Sequence, residues 1–154
     1  MKAARGVLSI ITVCVVQVLL ARYLPPVAER CDLFTILVVY YGLSRPPTGA
    51  MVMGAGSGLV QDALVGSILG LNGFKKTLIG YLVGTLGSLF MLNQAIPRFG
   101  ILFAATILDQ AAELGLSMVM GQSLAFSGIW LLVQRGLGNG VLGLLTFWIA
   151  ARIP

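Results

Sequence analysis

Residues 48–66 run Thr48-Gly49-Ala50-Met51-Val52-Met53-Gly54-Ala55-Gly56-Ser57-Gly58-Leu59-Val60-Gln61-Asp62-Ala63-Leu64-Val65-Gly66. Within this stretch Ala50, Gly54, Gly58, Asp62 and Gly66 recur every fourth position, and Gly70 continues the series. On an α-helix a step of four turns only about 40° round the axis, so these residues share a face. Small residues at this spacing let a second helix approach closely, which is how helices associate in lipid, where no hydrophobic force draws them together. The next apolar stretch repeats the device at Gly80, Gly84 and Gly87. Glycine is common in membrane helices, so the spacing carries the reading. Intramolecular helix packing comes first and docking of a partner helix second.

Outward from this stretch the whole chain alternates apolar runs with short polar breaks. Val7–Leu24 is the first run, interrupted by Gln17 and Arg22, and no small-residue cleavage site follows it, so it reads as a retained helix. Pro25 to Asp32 forms a loop. The run 33–43 is short for a crossing and reads as a short helix or a re-entrant piece. Runs 48–66, 77–92, 99–120 and 137–151 complete about six spans, with Lys75-Lys76 placed in a Gly-rich break and 121–135 read as an interfacial helix. Tyr23, Trp130 and Trp148 fall near span ends, where amphipathic rings sit at the headgroups. The expected fold is therefore an all-α integral membrane protein, one polytopic transmembrane domain over 1–154.

Composition agrees. The 154 residues are 58% hydrophobic and only 10% charged, with a mean hydropathy of +0.97, whereas a soluble domain carries roughly a quarter of its residues as charges. The net charge of +5 forms no basic stripe; the cations punctuate span ends, which argues against nucleic acid. With both termini inside, Lys2, Arg5, Arg45, Arg98 and Arg152 fall inside and Arg22, Arg30, Lys75, Lys76 and Arg135 outside. The split is even, and the dominance of the first helix favours cytoplasmic termini. The chain has no histidine, which removes the commonest zinc ligand and general base. Serines and threonines are scattered with no base beside them, and neither enzyme chemistry nor a cofactor is expected. The phosphate-loop flavour of 66–77 lacks the Walker spacing, and Gly138-x-Gly140-x-x-Gly143 opens an apolar run rather than following a strand.

The ionisable residues inside apolar runs are the candidate functional positions. Asp62, beside Gln61, lies on the small-residue face, where Lys75 or Lys76 could return to it. It reads equally as a fold-locking contact and as a partner or ligand contact. Asp109 and Glu113, spaced i, i+4, share a face in the fifth run. They read as a structural polar cluster, with one carboxyl protonated, or both lining a polar cavity or meeting Arg135, and with proton or cation transport as the rival reading.

Residues 58–66 followed by Leu69-Gly70-Leu71-Asn72-Gly73-Phe74-Lys75-Lys76-Thr77 and on to Gly84 resemble the signature of the rod shape-determining protein MreD family, and Asp32 to Tyr40 resembles its second span. The resemblance implies a non-enzymatic inner-membrane scaffold of the bacterial cell-elongation machinery. It implies work with an MreC-like single-span scaffold, an MreB-like filament and a wall-synthesis polymerase and transpeptidase pair, within the lipid bilayer. It also implies a fold resembling the substrate-binding subunits of energy-coupling-factor transporters, hence the rival function of small-molecule uptake. Against that rival, the first run has no A-x-x-x-A docking motif. Gly54, Gly58, Gln61, Asp62, Gly66, Asn72, Lys75, Lys76, Gly80 and Gly84 are then the expected packing or partner positions.

Overall fold

A computed structural model describes residues 2–89, 95–119, 121 and 129–150. The described residues form seven helices and no strand: α1 (Lys2–Tyr23), α2 (Pro25–Ala28), α3 (Leu33–Ser44), α4 (Pro47–Val65), α5 (Leu71–Leu89), α6 (Ala95–Val119) and α7 (Ile129–Ala150). Two of them, over Ala4–Tyr23 and Ile96–Val119, are long and apolar enough to cross a membrane by length and composition. Three boundaries differ from expectation. Lys75 and Lys76 sit inside α5, whose first turn begins at Leu71. Residues 129–135 belong to α7 rather than to a separate interfacial helix, while 122–128 lie outside the described residues. Pro97 and Arg98 fall within the start of α6, where proline's missing N–H costs little.

The 12-residue α3 is the hub. It is apolar all round, as a helix buried on every side must be, and it packs against α1, α4, α5, α6 and α7. Phe34, Val38 and Val39 are fully buried there, and Ile79, Val83, Leu102 and Phe147 close the core around it. At about 1.5 Å per residue α3 spans roughly 18 Å, well short of a hydrocarbon core of about 30 Å.

The α4–α5 pair is the closest in the bundle. A Cβ on Gly54 would strike the carbonyl of Lys76, one on Gly58 the carbonyl of Asn72, and one on Gly80 the carbonyl of Ala50; one on Gly84 would stand 2.7 Å from Pro47 Cα. Gly66 leaves this face. It adopts a left-handed conformation (φ 68°) and caps α4 through its N–H to the Asp62 carbonyl, the conformation glycine takes without steric cost. A second ladder joins α6 to α7: Gly136, Gly140 and Gly143 make room for Phe103, Phe99 and Leu102. Of the glycines that imitate a dinucleotide motif, Gly140 and Gly143 seat these side chains, and Gly138 lies against Cys31 and the Arg30 carbonyl. On the flank, α1 touches only α2, α3 and α4, and it exposes Val7, Leu8, Ile11, Val15 and Leu19.

Candidate functional site

Where α3 begins, Asp32 is the N-cap: its Oδ1 accepts from the Phe34 and Thr35 N–H groups at 3.0 and 3.2 Å, satisfying donors that the helix itself cannot. Its Oδ2 accepts from Thr35 Oγ1 at 2.9 Å, from Gln61 Nε2 at 3.3 Å and from Lys76 Nζ at 2.5 Å. Lys76 also donates to Thr35 Oγ1 at 2.5 Å and to Asp109 Oδ1 at 2.9 Å. The other Asp109 oxygen takes Lys75 at 3.5 Å, and Lys75 continues to Glu113 Oε2 at 3.1 Å. Consecutive lysines on α5 thus converge on one carboxylate of α6. Lys76 is wholly buried and Lys75 is 2% exposed, whereas the Glu113 side chain is 40% exposed. Burial alone would raise the Asp32 carboxyl, but the Lys76 ammonium and the hydrogen bonds from Lys76 and Thr35 hold it at about 2.

Amides extend the network across the bundle. Asn139 on α7 accepts from the Asp32 N–H at 2.7 Å and donates to Thr106 Oγ1 on α6 at 3.1 Å. Gln17 on α1 accepts from the Leu33 N–H at 3.3 Å. Arg135 donates to Gln110 Oε1 at 2.8 Å and to the Glu29 carbonyl at 3.1 Å, so it does not meet Asp109 or Glu113, as the sequence had suggested it could. Cys31, next to Asp32, is buried, and burial pushes its thiol up from the ordinary value.

Asp62 does a separate job, and neither lysine returns to it. Its carboxylate accepts from Ser67 Oγ at 2.7 Å, Gly70 N at 2.9 Å, Asn72 N at 3.0 Å, Asn72 Nδ2 at 2.9 Å and Gly73 N at 3.2 Å. An anion thus sits where the first N–H groups of α5 converge, which the helix dipole favours. Asp62 ties the end of α4 to the start of α5.

All of these groups lie at one end of the bundle, at the C-terminal ends of α1 and α4, the N-terminal ends of α3, α5 and α7, and the C-terminal half of α6. They surround a half-open cavity of about 500 Å³ lined by side chains that include Gln17, Asp32, Gln61, Lys75, Glu113 and Arg135. The chain's five acidic residues, Glu29, Asp32, Asp62, Asp109 and Glu113, are all at this end.

The family model for the rod shape-determining protein MreD matches residues 4–151, nearly the whole chain. The chain belongs to the MreD family. Membership makes it a membrane protein with a role in rod-shape determination, within the shape-determining MreBCD system. No curated protein and no solved structure matches it. Among the MreD-like signature residues, Gln61, Asn72, Lys75 and Lys76 line the cavity or its floor, Asp62 holds the adjoining turn, and Gly54, Gly58, Gly80 and Gly84 lie between α4 and α5. Asp109 and Glu113 are joined through Lys75. Asp32, Thr35 and Asn139 were not singled out from sequence. Asp32 directly before an apolar run, with Thr35 three residues on, carries an N-cap signal; an isolated Asn139 among glycines carries none.

Proposed function

We propose that this MreD-family chain is a non-enzymatic scaffold of the cell-elongation machinery, crossing the inner membrane about six times and acting through bound partners. The observation that carries the reading is the family match over 4–151. The buried ionisable groups support it, because they pair with one another across α3, α5 and α6, as a fold-holding network does. The partners are an MreC-like single-span protein, an MreB-like filament on the cytoplasmic side, and a wall-synthesising polymerase and transpeptidase pair. The exposed apolar face of α1 offers a surface for a neighbouring helix.

We read the termini as cytoplasmic, and the position of the cations supports this reading. Sequence counting divides lysine and arginine evenly between the two ends, but Lys75 and Lys76 are buried in ion pairs inside α5. Removing them leaves Arg22, Arg30 and Arg135 at the acidic end against Lys2, Arg5, Arg45, Arg98 and Arg152 at the other. The richer end faces the cytoplasm.

The cavity gives the rival reading, a small-molecule subunit of an energy-coupling-factor type transporter, one specific observation in its favour. Depletion in a rod-shaped host separates the two. The scaffold reading expects rounded or swollen cells that extra vitamin does not rescue, and co-purification of an MreC-like single-span protein with the tagged chain. Normal shape together with lost uptake of one nutrient would overturn it. Asp62→Leu is a poor probe of partner contact, because it removes an acceptor from five donors and so breaks the α4–α5 turn.

A further inference from the structure

We propose that the cavity binds a zwitterion, holding its ammonium inward on Glu113 and its anionic group outward on Arg30 and Arg135. This site is independent of the scaffold reading.

The inner wall carries an uncompensated negative charge and spare acceptors. Asp32, Asp109 and Glu113 oppose Lys75 and Lys76, three carboxylates against two ammoniums. Asp109 has both oxygens engaged by lysine, but Glu113 meets Lys75 through Oε2 and is 40% exposed. Gln61 donates its amide N–H to Asp32 and brings no positive charge to this wall.

The rim has the opposite balance. Glu29 is outnumbered by Arg30 and Arg135, all three lining the mouth. Neither arginine forms an ion pair among the described residues. A single cation would meet the rim arginines and a single anion the inner carboxylates, whereas a ligand carrying both charges complements each zone. About 500 Å³ is ample for such a group. Ala21, Pro25, Ala28 and Val65 add an apolar edge to the mouth, which suits an aminophospholipid headgroup with its chains outside; a free amino-phosphate has the same charged ends.

The test uses the full-length protein in mild detergent, with native mass spectrometry of added phosphatidylethanolamine, phosphatidylcholine and phosphatidylglycerol, and thermal shift with O-phosphoethanolamine. Phosphatidylcholine keeps the positive charge but has no N–H to donate; phosphatidylglycerol has no ammonium. Preferential retention of phosphatidylethanolamine identifies a lipid headgroup. A thermal shift by O-phosphoethanolamine without lipid preference identifies a soluble zwitterion. Glu113→Gln should weaken either ligand about tenfold or more, the loss of one charge-assisted hydrogen bond, and leave phosphatidylglycerol unchanged. Arg30→Gln, at an exposed position outside every helix, should weaken both phosphatidylethanolamine and phosphatidylglycerol. Equal binding of the three lipids with no response to O-phosphoethanolamine would overturn the proposal. So would wild-type affinity in both variants.

Discussion

Gly54→Ala adds one methyl group at the point where α4 lies against the backbone of α5. The new Cβ meets the Lys76 carbonyl oxygen, with Lys76 C at 2.6 Å and Thr77 N at 2.9 Å. All three atoms are main chain, so no rotamer change relieves the clash. Ordinary carbon–oxygen contacts lie at roughly 3.3 Å or more, so α5 must retreat by about 1 Å. Overpacking of this kind costs about 1–3 kcal/mol, and the rigid backbone places Gly54 at the upper end. Alanine returns about 1 kcal/mol through helix propensity, leaving a net loss of about 2 kcal/mol. For a chain of this size that lowers the melting temperature by roughly 4–8 °C. Gly56→Ala is the matched control: its Cβ would meet only Ile10 Cδ1 at 3.6 Å, an ordinary contact, so the variant should match or slightly exceed wild type. Fluorescence-detected thermal unfolding in detergent measures both. Because the displaced carbonyl belongs to Lys76, Gly54→Ala should also loosen the ion network. Equal melting temperatures for the two variants would refute the close-approach argument.

Three further outcomes are expected. Asp109→Asn leaves two buried ammoniums short of a carboxylate and should destabilise by about 3–5 kcal/mol, while Glu113→Gln, at a half-exposed position, should cost about 1 kcal/mol or less; equal effects in thermal unfolding would contradict the asymmetry. Since Asp32 lies at about 2 in the folded chain against an ordinary 3.8, its stabilisation is full above that ordinary value and disappears as pH falls from there towards 2. The melting-temperature gap between wild type and Asp32→Asn should therefore stay constant from pH 7 to 5 and narrow below 4. For topology, Cys31 is too buried to report, so Arg30→Cys and Thr48→Cys, both at exposed positions, serve in a Cys31→Ser background. An impermeant maleimide should reach the former in cells with a permeabilised outer membrane and the latter only after the inner membrane is opened; the reverse pattern would invert the orientation.

Helical class was legible because apolar runs and charge placement report directly on the solvent around a helix. The four-residue spacing of Ala50, Gly54 and Gly58 was legible for the same reason, being a property of one helix. What pairs with what was not. Lys75 and Lys76 were assigned to a break because glycines precede them, yet Asp62 gathers the N–H groups of Gly70, Asn72 and Gly73 and lets α5 begin six residues earlier, at Leu71. Once the lysines are helical they point across the bundle to α6 instead of back to Asp62. Asp32 looked like a loop acid, since its partners beyond its own helix are 29, 44 and 107 residues away at Gln61, Lys76 and Asn139. Gly140 and Gly143 of the second glycine ladder matched a nucleotide motif by letter; only the facing Phe99 and Leu102 reveal their use.

The shortness of α3 has a consequence for biogenesis. A helix of roughly 18 Å headed by a carboxylate is a weak candidate for stable entry into lipid by itself. The ammonium that neutralises its Asp32 arrives with α5, on Lys76, and the Asn139 acceptor for its N–H with α7. During synthesis α3 must therefore wait at the insertion machinery, or sit shallowly, until at least Lys76 has emerged. In nascent chains stopped before α5 a cysteine placed in α3 should react with an aqueous maleimide, and in chains extended past α6 it should be protected.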